Sequence, residues 1–187
     1  STNQGNQNYL KKSNENFKIV GVVGNANLGK TFILSKITKE DLPTGHTIST
    51  EGLSIKYPSL DNETKVAILD SAGSECPLLR IENKICLDSK GNDGIKNYAK
   101  DNTATEIFKQ NFIIWVSNII LEVVGDLRFS EQKSLLRIRN DLCKYREDKN
   151  HENKQIIIIH NLKNLTQIKE VENYIENILF KSSFKSF

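Results

Sequence analysis

The chain of 187 residues is long enough for one domain with a substantial hydrophobic core and short for two. Its formal net charge of +3 comes from 26 basic and 23 acidic residues that are interspersed, which argues against nucleic acid as a partner. The three cysteines form no C-x-x-C pair, so we expect a reducing, cytoplasmic location without a disulfide framework or a zinc site.

Residues 1–16 are rich in Asn and Gln and offer little to bury, so we predict a disordered leader there. Residues 17–187 are expected to form part of a single domain, because the absence of any methionine is typical of a piece of a longer protein. The most apolar stretch, 112–124, is interrupted by polar residues and is too short to span a bilayer. Any membrane contact is therefore expected to be peripheral.

The first predicted strand, 17–23, leads into a loop that reads G-x-x-x-x-G-K-T and ends at Thr31. A helix from Lys30 to about Lys39 follows, and strand, glycine loop and helix in this order are the context of a phosphate-binding loop. Glycines allow successive backbone amides to turn inward around phosphate oxygens. Lys30 then supplies a positive charge to the β- and γ-phosphates, and the Thr31 hydroxyl is a ligand for Mg²⁺. The predicted nucleotide-binding residues of this loop are Gly24, Asn25, Ala26, Asn27, Leu28, Gly29, Lys30 and Thr31.

A polar, hydroxyl-rich loop over residues 44–52 separates this helix from two predicted strands, 53–57 and 65–70. The second of these strands is apolar and ends on a carboxylate, Asp70. Gly73 completes a D-x-x-G pattern with it. This pattern is the usual companion of the phosphate loop in nucleotide-dependent switches.

Residues 74–102 show little periodicity and are predicted to form a long mobile insertion. A capping box over 103–106 then predicts the start of a helix. The apolar face of that helix carries Phe108, Phe112 and Trp115, which we expect to lie in the core.

Further strands are predicted at 119–124 and 155–160, with helices from about residue 130 and from about residue 166. The last helix is expected to bury one apolar side, which includes Ile168 and Ile178. Strands that alternate mainly with helices predict an α/β fold, a mostly parallel central sheet with helices on both faces. Ligands bind such sheets at the carboxyl ends of the strands, where all of the motifs above fall.

Together these motifs resemble the dynamin-superfamily large GTPases, most closely the guanylate-binding-protein and atlastin type. The segment Ser49–Leu53 is similar to the T-x-G of that family's first switch, and Thr50 would then contact Mg²⁺ and the γ-phosphate. Thr47 is the competing threonine. By the same resemblance Asp70 would hold Mg²⁺ and the amide of Gly73 would face the γ-phosphate.

The resemblance implies a P-loop NTPase three-layer sandwich, here a P-loop GTPase domain over 17–187 that is present in part. The metal ligands it implies are Thr31, Thr50 and Asp70. The catalytic residues it implies are Lys30, Thr50 and Gly73.

The chain departs from this family at positions that matter for catalysis and base choice. Asn27 stands where guanylate-binding proteins have an arginine that stabilises the transition state, and Ala72 stands where they have an acidic residue. After the fifth strand, His160 and Asn161 replace an Arg-Asp pair. In the alternative N-K-x-D register, Asn164 replaces the aspartate. Both registers put an amide where a carboxylate would accept two guanine N–H bonds.

We therefore expect a Mg²⁺-dependent protein that binds GTP and GDP, with slow or assembly-dependent hydrolysis and a nucleotide-dependent homodimer or assembly partner. His160, Asn161 and Asn164 are its predicted base-side residues. An alternative is a structural or interaction protein that keeps the nucleotide-binding fold without useful turnover, and a third reading is an ATP-binding P-loop protein.

Overall fold

The computed structural model describes residues 7, 10–12, 15–39, 52–58, 65–73, 91–147 and 154–181, with the side chains of 91–95 and 144–147 excepted. Within these ranges the strands are β1 (Lys18–Val23), β2 (Leu53–Lys56), β3 (Val66–Ser71), β4 (Ile119–Val124) and β5 (Gln155–His160). The helices are α1 (Lys30–Thr38), α2 (Gly91–Val116), α3 (Phe129–Glu147) and α4 (Ile168–Tyr174), which continues as a π-helical segment, Ile175–Leu179. All five predicted strands are confirmed to within two residues.

The strands form one sheet in the order β2-β3-β1-β4-β5. β2 runs antiparallel to β3, and the other neighbours are parallel, so the predicted mostly parallel sheet is confirmed. β1 lies at the centre, where Val22 pairs with Asp70 of β3. The parallel register places the carboxyl ends of β1, β3, β4 and β5 along one edge, as the site requires.

Alternating side chains of the strands pack on opposite faces of the sheet, because successive residues of a strand point in opposite directions. Val22 packs with Leu34 of α1 on one face. Val23 packs on the other face with Ile113 of α2 and Ile138 of α3. Helices therefore cover both faces, which confirms the predicted α/β layers.

Helix α2 begins at Gly91, twelve residues before the predicted capping box. The hydroxyl of Thr103 donates to the carbonyl of Ala99 at 2.9 Å, and the hydroxyl of Thr105 donates to that of Asp101 at 2.8 Å. These are bonds to the preceding turn of a continuing helix, so the Thr-x-x-Glu pattern lies inside α2 and caps nothing. The predicted mobile insertion is wrong for residues 91–102, and its remaining part, 74–90, lies outside the described ranges.

The prediction that the aromatic face of α2 lies in the core is wrong. Phe108 is 70% exposed and Trp115 is 55% exposed, whereas Ile113 and Ile114 are completely buried. Phe112 lies between these extremes, at 36%. The helix is thus rotated so that Ile113 and Ile114, and not its aromatic residues, meet the sheet.

The apolar side predicted for the last helix is also wrong in part, because Ile168 is 79% exposed and Ile178 is 45% exposed while Tyr174 is buried. Residues 10–12, inside the predicted leader, are helical. No helix in the described ranges is both long enough and apolar enough to cross a membrane.

Candidate functional site

The loop between β1 and α1 has the backbone conformation that its glycines permit. The φ angles of Gly24, Asn27 and Gly29 are 138°, 60° and 75°, in the left-handed half of conformational space that favours glycine. A β-carbon on Gly29 would also come within 2.6 Å of Nδ2 of Asn161. The G-x-x-x-x-G spacing is thus explained by backbone direction and by the close approach of the loop that follows β5.

The ammonium group of Lys30 lies within the loop. It donates to the carbonyl oxygens of Gly24 at 3.0 Å and Asn25 at 2.8 Å, and Lys30 is 7% exposed. The first turn of α1 contains no acidic side chain, so the partial positive charge of the helix N-terminus and the charge of Lys30 act in the same direction. The loop is therefore suited to an anion, and Thr31 lies in the same first turn.

Asp70 is completely buried near the end of β3, and its Oδ2 lies 3.5 Å from Nζ of Lys56. Thr50, the predicted third metal ligand, lies outside the described residues. Gly52, two residues later, accepts a hydrogen bond from the amide of Ala72 at 2.9 Å. The end of the hydroxyl-rich loop is thus fixed beside the D-x-x-G segment, as a pair of nucleotide switches would require.

Gly73 brings the D-x-x-G segment against the phosphate loop. A β-carbon at this position would lie 2.4 Å from Cα of Ala26 and 2.7 Å from Nζ of Lys30. Real β-carbons do not come so close to backbone atoms, so only glycine fits this contact. Ala26 and Gly73, which lie more than forty positions apart in the sequence, therefore meet at one point.

The loop after β5 is tied to the phosphate loop by two side chains. Asn161 donates from Nδ2 to the carbonyl of Leu28 at 2.7 Å, and Lys163 donates from Nζ to the carbonyl of Asn27 at 2.7 Å. Lys163 was not among the predicted site residues. In the N-K-x-D register that ends at Asn164, Lys163 occupies the variable position, so the motif gave no signal for it.

His160 is the predicted base-side residue that faces elsewhere. Its Nδ1 lies 3.2 Å from the hydroxyl of Tyr174, which donates in turn to the carbonyl of Gly125 at 3.3 Å. Burial lowers the pKa of His160, and burial raises the pKa of Tyr174 to about 12. His160 thus links β5 to α4 and to the end of β4.

A cleft of about 340 Å³ runs from the phosphate loop to the loop after β5. The predicted residues that line it are Asn25, Ala26, Asn27, Leu28, Asn161 and Asn164. The lining residues that the sequence did not indicate are Gly125, Asp126, Arg128, Ser130, Glu131 and Lys163. Among the residues that the structure describes, His160 does not line this cleft.

Glu131 organises the wall of this cleft. Its Oε1 accepts a hydrogen bond from the amide of Gly125 at 2.7 Å, and its Oε2 accepts one from the amide of Arg128 at 2.7 Å. Glu131 is 4% exposed, so it holds the turn between β4 and α3 in place at the first turn of α3. The Glu in that first turn was a signal for this role.

The described ranges contain no group of three or more His, Cys, Asp and Glu side chains that could hold a metal ion. Mg²⁺ does not require one, because it is commonly bound through one or two protein oxygens, waters and the phosphates of its substrate. The Thr31 hydroxyl and the Asp70 carboxylate fit that donor set.

No protein-family model matches the chain. A heat shock protein of Dictyostelium discoideum is 27% identical over 172 residues, which are 90% of this chain and 24% of that protein. The structure of Aquifex aeolicus Era bound to GDP and AlF4⁻ matches with a TM-score of 0.56 and 16% identity, over 89% of this chain and 48% of that chain. The chain thus spans about a quarter of the curated relative and about half of Era. The match shows the fold alone, a P-loop NTPase sandwich with a mostly parallel sheet.

Proposed function

We propose that this chain is a Mg²⁺-dependent GTP-binding domain with slow or assembly-dependent GTP hydrolysis. The observation that carries the proposal is the contact of Gly73 with Ala26 and Lys30, because it joins the two phosphate-sensing motifs at one point. The structural similarity to Era, which was solved with GDP and AlF4⁻, supports a guanine nucleotide as the ligand. The narrower likeness to dynamin-superfamily GTPases rests on the sequence motifs.

Each group has a distinct part in this proposal. Lys30 and the loop amides bind the phosphates, and a triphosphate would draw the Lys30 ammonium from the carbonyls of Gly24 and Asn25. Thr31 and Asp70 hold Mg²⁺, which neutralises charge on the phosphates, and Thr50 joins them by the family resemblance. The Gly73 amide is positioned to sense the γ-phosphate.

Slow turnover follows from the residue at the third variable position of the loop. Asn27 is neutral, and its carbonyl is held by Lys163. An arginine that stabilises the transition state in related GTPases contributes about 10³ to 10⁵ in rate. Without that charge, we expect hydrolysis to depend on an assembly partner or a second copy of the chain.

The two asparagines after β5 have different parts in base recognition. Asn161 donates a hydrogen bond from its amide nitrogen to the carbonyl of Leu28, so its side chain stabilises the phosphate loop. Asn164 lines the cleft and is the residue that we propose faces the base. An amide there provides one acceptor and presents its NH₂ to a guanine donor, a mismatch of about 1 to 3 kcal/mol.

The second candidate function is a structural or interaction protein that binds nucleotide without useful turnover. The neutral residues Asn27, Ala72 and Asn164 favour it over a fast GTPase. An ATP-binding protein is the third candidate.

One experiment separates the three functions. Affinity and phosphate release are measured for GTP, ATP and XTP with Mg²⁺ over a range of protein concentrations. Release that rises with protein concentration supports the assembly-dependent GTPase, and tight GTP binding without release at any concentration supports the structural protein. A preference for ATP in both measurements would overturn the proposal of a guanine nucleotide.

A further inference from the structure

Asp70, which the proposed function assigns to Mg²⁺, has a lysine beside it in the chain without nucleotide. Its Oδ2 lies 3.5 Å from Nζ of Lys56, and the Asp70 side chain is completely buried whereas that of Lys56 is 24% exposed. A buried carboxylate is costly unless a positive charge lies close to it. Lys56 therefore supplies positive charge to the same carboxylate that the metal would use.

The sheet brings Lys56 to the face that carries the phosphate loop. β2 runs antiparallel to β3 with Ser54 opposite Asp70, and Lys56 lies two residues beyond Ser54 and so on the same face. Asp70 is also opposite Val22 of β1, which packs with Leu34 of α1. Lys56 and Asp70 thus share the face covered by α1, the helix that begins at the phosphate loop.

The ion pair of Lys56 with Asp70 is loose. Direct charge-assisted N–H···O bonds are about 2.7 to 2.9 Å long, whereas this pair is separated by 3.5 Å. The lysine side chain is flexible, and β2 is an edge strand of the sheet. The ammonium group of Lys56 can therefore turn into solvent, while Asp70 is fixed within β3.

The burial of Asp70 makes this movement relevant to the metal. Because its side chain has no exposed surface, a metal ion reaches the carboxylate only after a neighbouring group has moved. Lys56 is a neighbour that is partly exposed and carries a charge of the same sign as the metal. Two cations that need one buried carboxylate also repel each other, so each disfavours the other there.

We propose that Lys56 is a positioning residue for the metal: it holds Asp70 as an internal counter-ion in the nucleotide-free chain and leaves it when Mg²⁺ binds. The inference rests on the proposed function, because that function assigns Asp70 to Mg²⁺. Lys56 then raises the concentration of Mg²⁺ at which the chain binds nucleotide tightly. The exchange of one cation for the other lets the edge strand β2 respond to the metal.

The test measures how nucleotide affinity depends on Mg²⁺ in the full chain. The Kd for the non-hydrolysable GTP analogue GppNHp is determined by calorimetry over a series of free Mg²⁺ concentrations set with a chelator. Lys56→Met removes the competing cation, so the Mg²⁺ concentration at the midpoint of this dependence should fall about tenfold, as the loss of one charge-assisted contact predicts. Lys56→Arg keeps a cation and should have the midpoint of the wild type.

Lys65→Met is the matched control. It removes an ion pair of the same kind, which Lys65 forms with Glu15 at 3.0 Å, but in an exposed position at the other end of β3. Its Mg²⁺ midpoint should equal that of the wild type. An equal fall in the Lys65 and Lys56 variants would mean that net charge, and not competition at Asp70, sets the midpoint, and would overturn the proposal.

A role of Lys56 in stability alone gives a different result. Lys56→Met would then have a lower free energy of unfolding and an unmoved Mg²⁺ midpoint, which contradicts the proposal. If this variant fails to fold, Lys56→Gln, which keeps a hydrogen-bond donor for Asp70 without the charge, has the same expected fall in the midpoint and decides the matter. GppNHp binding with unmoved midpoints overturns only the role of Lys56, whereas a wild type that binds no GppNHp at any Mg²⁺ concentration overturns the proposed function itself.

Discussion

A β-carbon at Gly73 would come within 2.4 Å of Cα of Ala26, although Gly73 follows β3 and Ala26 lies in the phosphate loop. The D-x-x-G backbone therefore lies directly on the loop. Gly73→Ala should displace one segment from the other and lower GTP affinity at least about tenfold, as one lost buried contact would.

The control for this prediction is Gly52→Ala. Gly52 has a φ of 66° but open space around its would-be β-carbon, so this variant adds about 1 kcal/mol of backbone strain without a collision. Calorimetric titration with Mg²⁺ and GTP compares the two. Equal losses in both variants would mean that strain, and not the contact with Ala26, sets the affinity.

Lys30→Ala is expected to abolish nucleotide binding, because it removes the buried ammonium from the loop. The matched control is Lys36→Ala, which makes the same change at an exposed position of the same helix. The Lys36 variant should bind GTP as the wild type does. Unchanged affinity in the Lys30 variant, measured by calorimetric titration, is the result that contradicts the phosphate-loop assignment.

Asn164→Asp should raise the preference for GTP over XTP, because a carboxylate accepts both N–H bonds of guanine while an amide does not. The expected gain for GTP is about 1 to 3 kcal/mol. Asn161→Asp should instead weaken the binding of both nucleotides, because it replaces a hydrogen-bond donor with a carboxylate that faces the carbonyl of Leu28. Competition binding with GTP and XTP, measured for each variant, tests these two expectations. If only Asn161→Asp changed the preference between the nucleotides, Asn161 and not Asn164 would be the residue that faces the base.

Glu122 should make the stability of the chain depend on pH. Burial raises the pKa of its carboxyl from 4.5 to about 7. Between these two values the folded chain holds a proton that the unfolded chain has released, so the free energy of unfolding falls as the pH rises from 4.5 to about 7. The full effect is on the order of 3 kcal/mol.

Urea unfolding of the wild type and of Glu122→Gln at several pH values measures this effect. The difference in free energy of unfolding between the two should grow with pH across that window. The exposed Glu172→Gln serves as the control and should follow the wild type. A constant difference between Glu122→Gln and the wild type would show that Glu122 keeps its ordinary pKa.

Lys154 caps the carboxyl end of α2. Its Nζ donates to the carbonyls of Ile114 at 2.9 Å, Trp115 at 2.5 Å and Ser117 at 2.8 Å. Lys154→Met should lower the free energy of unfolding by about 1 to 2 kcal/mol, through lost charge-assisted bonds at the negative end of the helix. Lys100→Met, at an exposed position of α2, should have little effect in the same denaturant titration, and equal effects would argue against the cap.

The strands and the phosphate loop could be predicted because each is encoded locally. Runs such as 155–160 have few alternatives to a buried strand, and the glycine spacing carries its own geometric reason. Gly73 was predicted for the same reason, although its contact with Ala26 depends on the parallel pairing of β1 and β3. Local sequence patterns were therefore sufficient to predict the centre of the sheet and the phosphate-binding end of the site.

The predictions that failed concern features that depend on how helices and strands pack together. A helical period indicates that α2 has apolar sides, but not whether Ile113 or Trp115 meets the sheet. The contact of Lys163 with Asn27 joins residues 136 positions apart, and no local pattern encodes it. The hydrogen bonds from Gln110 to Ser134 and from Ser134 to Glu122 likewise exist only after two helices and a strand have come together.

The exposure of Trp115 gives the chain an internal optical probe. It is the one tryptophan in the sequence and is 55% exposed near the carboxyl end of α2. Its fluorescence should therefore be quenched by iodide in the folded state and should report on one defined helix. The backbone carbonyl of Trp115 is one of those that Lys154 caps, so its emission can follow fraying of this helix end without any added label.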